Sequence, residues 1–219
     1  MDAATLQSRI YTGYSKAALR IGLDTDLYRP GTASHPISGI NKLRTFPASF
    51  NAEDMKYGKP NKYGHPIWYG IFDGALTQSG DYLVRVSDGQ TYYIGGQQQL
   101  LPIICIECNR SIRITRENSS SAVGALPYSG NQPANETDVL GAPNAMWPAS
   151  ILFGGRIQQS MNLPASVREA GWQILLPPSV PITIMAGDIA TDDLGRRYAI
   201  EGAESTDLGW RINAQEAHS

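Results

Sequence analysis

Two stretches of this chain, a hundred residues apart, carry the same pattern, and that pattern limits what the chain can fold into. Residues 80–96 read GDYLVRVSDGQTYYIGG and residues 187–202 read GDIATDDLGRRYAIEG. Each opens on a Gly-Asp pair (Gly80-Asp81, Gly187-Asp188) and reaches a turn glycine, Gly89 or Gly195. After that glycine come Tyr at +3 (Tyr92, Tyr198), Ile at +5 (Ile94, Ile200) and Gly at +7. A strand, a tight turn and a returning strand explain the spacing, because glycine supplies the positive φ that a hairpin turn needs. Tyr and Ile two apart share one strand face, here expected to be the core face, while Tyr93 and Ala199 take the other. The repeat is open to two readings: two related small β-barrels, over about 23–116 and 147–219, or two unrelated hairpins that share ordinary turn chemistry.

The rest of the chain supports a mostly β fold. Its 219 residues are 42% hydrophobic and only 17% charged, with 22 Gly and 14 Pro, a mix suited to short strands joined by turns. Segments rich in β-branched and aromatic residues recur at 23–30, 42–50, 66–73, 81–87, 90–96 and 101–116, and again from ASILFGG to LGWRINAQ. Ahead of them, Leu6, Ile10, Tyr14, Ala17 and Ile21 stand three or four residues apart, which predicts a helix ending at Gly22. That helix either lies on its own domain or docks on a neighbouring subunit. Between Glu117 and Pro148 the chain is dominated by Ser, Gly, Pro, Asn and Ala, and reads as a linker that also makes contacts. The expected organisation is an N-terminal helix (1–22), a first β domain (23–116), a linker and interaction loop (117–146) and a second β domain (147–219), each β domain a small barrel or sandwich.

Little in the sequence points to chemistry. The formal net charge is −2 with scattered Lys and Arg, so no concentrated basic footprint marks a nucleic-acid surface. No apolar run approaches a membrane span and MDAATLQSRI lacks the order of a signal peptide, so the expectation is a soluble protein made in the cytoplasm. His35, His65 and His218 sit in Pro/Gly-rich or terminal contexts that orient a general base poorly. Cys105 and Cys108 have CxxC spacing but no second pair, and on a strand they point to opposite faces, which argues against a shared metal or redox pair and predicts buried or half-buried thiols. The acids Asp192, Asp193, Glu201, Glu204 and Asp207 are read as turn and strand-end solvation. No phosphate loop, GxGxxG, GxSxG or HExxH occurs. The expectation is a protein with no catalytic residues, metal or cofactor, whose exposed aromatics serve interfaces. The candidates are Leu6, Ile10 and Tyr14 on the helix, Tyr57, Tyr63 and Tyr128 in loops, and Trp147.

The runs SGDYLVRVSDGQTYYIGGQQQLLPIICIECNR and AGDIATDDLGRRYAIEGAESTDLGWRINAQEAHS resemble virion proteins of tailed bacteriophages. The C-terminal half is similar to the small β-barrels of the head-to-tail connector group, in which a Gly-Asp pair, a hairpin glycine and a Tyr-x-[Ile/Val] strand recur. Connectors of that group are usually shorter and carry one barrel, so the length here is a departure. The resemblance implies a homo-oligomeric ring in the virion neck, often sixfold or twelvefold, stacked between portal or adaptor and tail proteins. DNA would pass through it without sequence-specific binding and no membrane would be involved. Other tail parts (a completion, collar, fibre-anchoring or baseplate protein) are alternatives, as is a β-sandwich carbohydrate-binding module.

Overall fold

The computed structural model describes residues 2–53, 56–117, 136–156 and 170–217. It is mostly β, with one N-terminal helix and two sheets. The helix, α1 (Ala3–Ile21), is capped at its start by Asp2, whose Oδ1 accepts the Thr5 N–H at 2.8 Å. It stops at Gly22, whose N–H donates to the Ala18 carbonyl at 2.7 Å. A side chain there would meet Ala18 O at 2.5 Å and Ala48 N at 2.9 Å, so the close approach to the next strand requires glycine. The helix lies on its own barrel through Ala18 and Tyr11, the Tyr11 ring sitting against Gly74.

Six strands form the first unit: β1 (Leu23–Tyr28), β2 (Lys42–Asn51), β3 (Ile67–Ile71), β4 (Tyr82–Arg85), β5 (Thr91–Gly96) and β6 (Ile103–Cys108). They close a barrel in the order β1-β2-β3-β6-β5-β4. Its interior holds Leu27, Phe46, Ala48, Phe72, Leu83, Tyr92, Ile94, Ile103 and Cys105. Tyr92 and Ile94 thus occupy the core face expected from their spacing.

The second unit consists of β7 (Arg110–Glu117), β8 (Glu136–Leu140), β9 (Trp147–Arg156), β10 (Ala170–Leu176), β11 (Ile189–Asp192), β12 (Arg197–Thr206) and β13 (Gly209–Ala217). The sheet order is β11-β12-β13-β10-β9-β7-β8, and β11 also pairs with β7. Without β8, the cyclic order β7-β9-β10-β13-β12-β11 repeats that of the first barrel strand for strand. Register agrees as well. Thr25 faces Arg85 as Ile112 faces Asp192, Leu83 faces Tyr92 as Ala190 faces Tyr198, and Trp68 faces Cys105 as Trp172 faces Ala214. A register shift falls between Ile94 and Gly96 in one hairpin and between Ile200 and Gly202 in the other. Chance convergence of one hairpin accounts for none of the agreement outside it. The alignment also superposes Phe46-Pro47-Ala48-Ser49 on Trp147-Pro148-Ala149-Ser150, a second sequence repeat.

Two boundaries differ from the sequence reading. The run 101–116 is two strands in different sheets: Asn109 alone separates them, and β7 opens the second unit instead of closing a first domain at 116. Asn109 makes that break by turning its side-chain amide onto β9, donating to Ile151 O and accepting the Ile151 N–H, each at 2.8 Å. The segment 117–146, read as a linker and interaction loop, contains β8 at 136–140. Leu140 faces Ile114 across the ladder and is buried, and Val139 packs beside it on the same core.

The two units share a core. Tyr82, Tyr93, Ile106 and Cys108 point outward from the first barrel and belong to the same buried cluster as the second unit's interior, which includes Ile114, Trp147, Ile174, Tyr198 and Ile212.

Candidate functional site

Three places in the structure gather polar or aromatic groups. The first is duplicated. In the first unit, Arg29 donates from Nε and Nη2 to the two carboxylate oxygens of Asp81, both at 2.8 Å. In the second, Arg116 does the same to Asp188, at 2.7 and 2.9 Å. Each carboxylate also accepts a backbone N–H from three residues upstream, Gln78 or Met185, at 2.9 Å. The preceding glycines, at φ +92 and +93, donate to Ile94 O and Ile200 O. Asp81 is 1% and Asp188 2% exposed, and a charge that deep is tolerated because the bidentate guanidinium pairs it. The Gly-Asp pairs are therefore structural ties across each barrel's β3–β4 or β10–β11 connection. Arg29 and Arg116 carry no local sequence signal, because their partners lie 52 and 72 residues away.

The second place is the junction between units. Tyr82 donates its hydroxyl to Pro148 O at 2.7 Å and meets the Trp147 ring edge-on, with centroids 6.1 Å apart. Burial pushes the Tyr82 phenol well above its ordinary pKa, so it remains the donor. Ala33 O accepts from Trp147 Nε1 at 3.0 Å and from Gly141 N–H at 2.9 Å. Ser179 Oγ donates to Gly80 O at 2.7 Å, and Leu208, at the β12–β13 turn, rests on Gly96. Trp147, a candidate for contacts with other proteins, is thus fully buried in this chain's own core. The first unit is what covers its indole.

The third place is the loop between β2 and β3. Residues 56–67 read KYGKPN-KYGHPI, a tandem hexapeptide, with Gly58 and Gly64 at φ +83 and +72. These turns leave Tyr57 and Tyr63 exposed to solvent, as expected of interface candidates. Under the second turn a cleft of about 590 Å³ opens between the units, lined among others by Tyr63, His65, Glu107, Asn109, Ser150 and Leu152. Glu107 is fixed by Trp68 Nε1 at 2.6 Å and Gln90 Nε2 at 2.8 Å. The hydroxyl of Ser150 is buried and has no hydrogen-bond partner among the described residues.

Of the remaining candidates, Leu6 is exposed while Ile10 and Tyr14 are half-buried. Tyr128 and His218 lie outside the described residues. Cys105 faces the first barrel's interior and Cys108 the shared core; both are free and buried, and burial pushes both thiols up. Among the described residues no three His, Cys, Asp or Glu side chains stand where they could hold a metal ion, and no helix is long and apolar enough to cross a membrane. No family model, no curated protein and no solved structure matches this chain.

Proposed function

We propose that this protein is a structural component of a tailed-phage virion, and within it a ring-forming connector of the neck that joins portal and tail around the DNA channel. The observation that carries the reading is the contact between the two equivalent units. They meet through non-equivalent faces, the outside of β4, β5 and β6 in the first against β9, the β10–β11 connection and the β12–β13 turn in the second. Head-to-tail contact between like modules is the geometry that, repeated between chains at a rotation dividing the full turn, closes a ring. The resemblance of the two Gly-Asp hairpins to connector barrels supplies the class of assembly. A net charge of −2 fits a passage that lets DNA slide, since a strongly basic lining would hold the phosphates.

On this reading Leu6 of α1 and the loop tyrosines Tyr57 and Tyr63 face neighbouring subunits or the portal and tail proteins, and no catalysis, metal or cofactor is assigned. Light scattering on the purified chain, followed by negative-stain imaging, tests it. The expected result is a closed particle of six or twelve times the 23.8 kDa chain mass, or a monomer that forms rings once virion partners are added. A monomer that never enters particles would overturn the proposal.

A further inference from the structure

We propose that the cleft between the two units binds a neutral carbohydrate, which stacks on Tyr63 and hydrogen-bonds to Ser150 at the cleft wall. Its volume, about 590 Å³, lies within the range of small-molecule sites. Ser150 supplies the pointer to a ligand. Its neighbours Ala149 and Ile151 face the second unit's core, so Ser150 faces outward, toward the first unit. The residue is 1% exposed and its hydroxyl is unpartnered among the described residues. Buried hydroxyls almost always have a partner, and one that lacks it while lining a cleft is positioned for a group from outside the chain.

The remaining wall is built and held rigid. Asn109 spends its amide on both polar groups of Ile151, and Glu107 is fixed by Trp68 and Gln90, leaving carboxylate lone pairs for further donors. The turn that presents Tyr63 is tied by the His65 N–H to Lys62 O bond at 3.2 Å, by the Lys62 N–H to Asn61 Oδ1 bond at 2.8 Å, and by Asn61 Nδ2 on His65 O. Tyr63 is therefore a fully exposed ring on a fixed turn, a flat amphipathic platform that suits the C–H face of a pyranose. Charge decides between ligand classes. Lys62 and Glu107 line the same cleft with opposite sign, so a phosphate or polyanion gains no net attraction, whereas a polyol finds both donors and acceptors.

The test uses the full chain and does not depend on the virion reading, which a ring measurement decides separately. The labelled protein is screened on a glycan array. The best hit, together with cellobiose, lactose and N,N′-diacetylchitobiose, is then titrated by calorimetry against wild type, Tyr63→Ala and Ser150→Ala, with inorganic phosphate as the anionic probe. We expect one saturable site per chain, at least tenfold weaker in Tyr63→Ala and severalfold weaker in Ser150→Ala, with Tyr63→Ala leaving the melting temperature unchanged because its ring is outside the core. Absence of any saturable glycan, affinity unchanged in both variants, or saturation by phosphate alone would overturn the assignment.

Discussion

At the scale of single residues, the two Gly-Asp pairs form a matched experiment. Gly80 and Gly187 have φ +92 and +93, so alanine at either is strained by about 1–2 kcal/mol. Their surroundings differ. A Cβ at Gly187 meets nothing within 4 Å, while one at Gly80 falls 2.7 Å from Ser179 Cβ and 3.0 Å from Ser179 N, across the junction between units. Denaturant unfolding should therefore find Gly80→Ala more costly than Gly187→Ala, by about 1–3 kcal/mol for the overlap. Equal costs would mean that the Ser179 contact carries no weight. The glycines, tyrosines and isoleucines of this motif were legible in the sequence because hairpin geometry is local. Arg29 and Arg116 were not, since pairing with a carboxylate over fifty residues away leaves no spacing to read.

Among the elements, α1 and the hairpins followed from periodicity and turn chemistry, whereas β7 and β8 did not. The break at Asn109 carries no Gly or Pro, and β8, with Glu136, Thr137 and Asp138 in its five residues, has the composition of a loop. What makes it a strand is tertiary. Glu136 pairs with Arg197 and accepts from Thr115 Oγ1 at 2.8 Å, Asp138 pairs with Arg113 at 3.1 Å, and Leu140 is buried. Charged side chains on so short a strand also protect an edge that, among the described residues, pairs only with β7. Deleting 136–146 should consequently destabilise the fold. Loss of the Leu140 side chain from the core alone is worth about 2–3 kcal/mol, and the melting temperature should fall by several degrees. A deletion variant that melts with the wild type would show β8 to be dispensable. The Pro-Ala-Ser repeat at 47–49 and 148–150 was present in the sequence as a signal for the duplication; it becomes visible only once β2 and β9 are known to be equivalent.

For the molecule as a whole, a shared core predicts one cooperative transition. Independent barrels would melt as two, but Tyr82, Tyr93, Ile106 and Cys108 cannot leave their contacts with the second unit without exposing both halves. Calorimetry should record a single endotherm whose van't Hoff and calorimetric enthalpies agree, and two resolved peaks would refute the coupling. The cleft proposed to bind carbohydrate was only half visible beforehand. The loop tyrosines were singled out, but Ser150 and Asn109 reach the site through a junction that strand patterning does not encode.

The one-residue link at Asn109 also sets the order of events during synthesis. A ribosome releases every strand of the first barrel before any strand of the second, and domains formed early in translation fold first. When the closed barrel emerges, it presents Tyr82 and Tyr93 on its outside, with nothing yet to cover them. Vectorial synthesis thus predicts that the second half folds against the outer face of the first barrel, which would serve as a template in cis for a module of its own kind. A circular permutant that makes residues 110–217 first would have to fold them without that template.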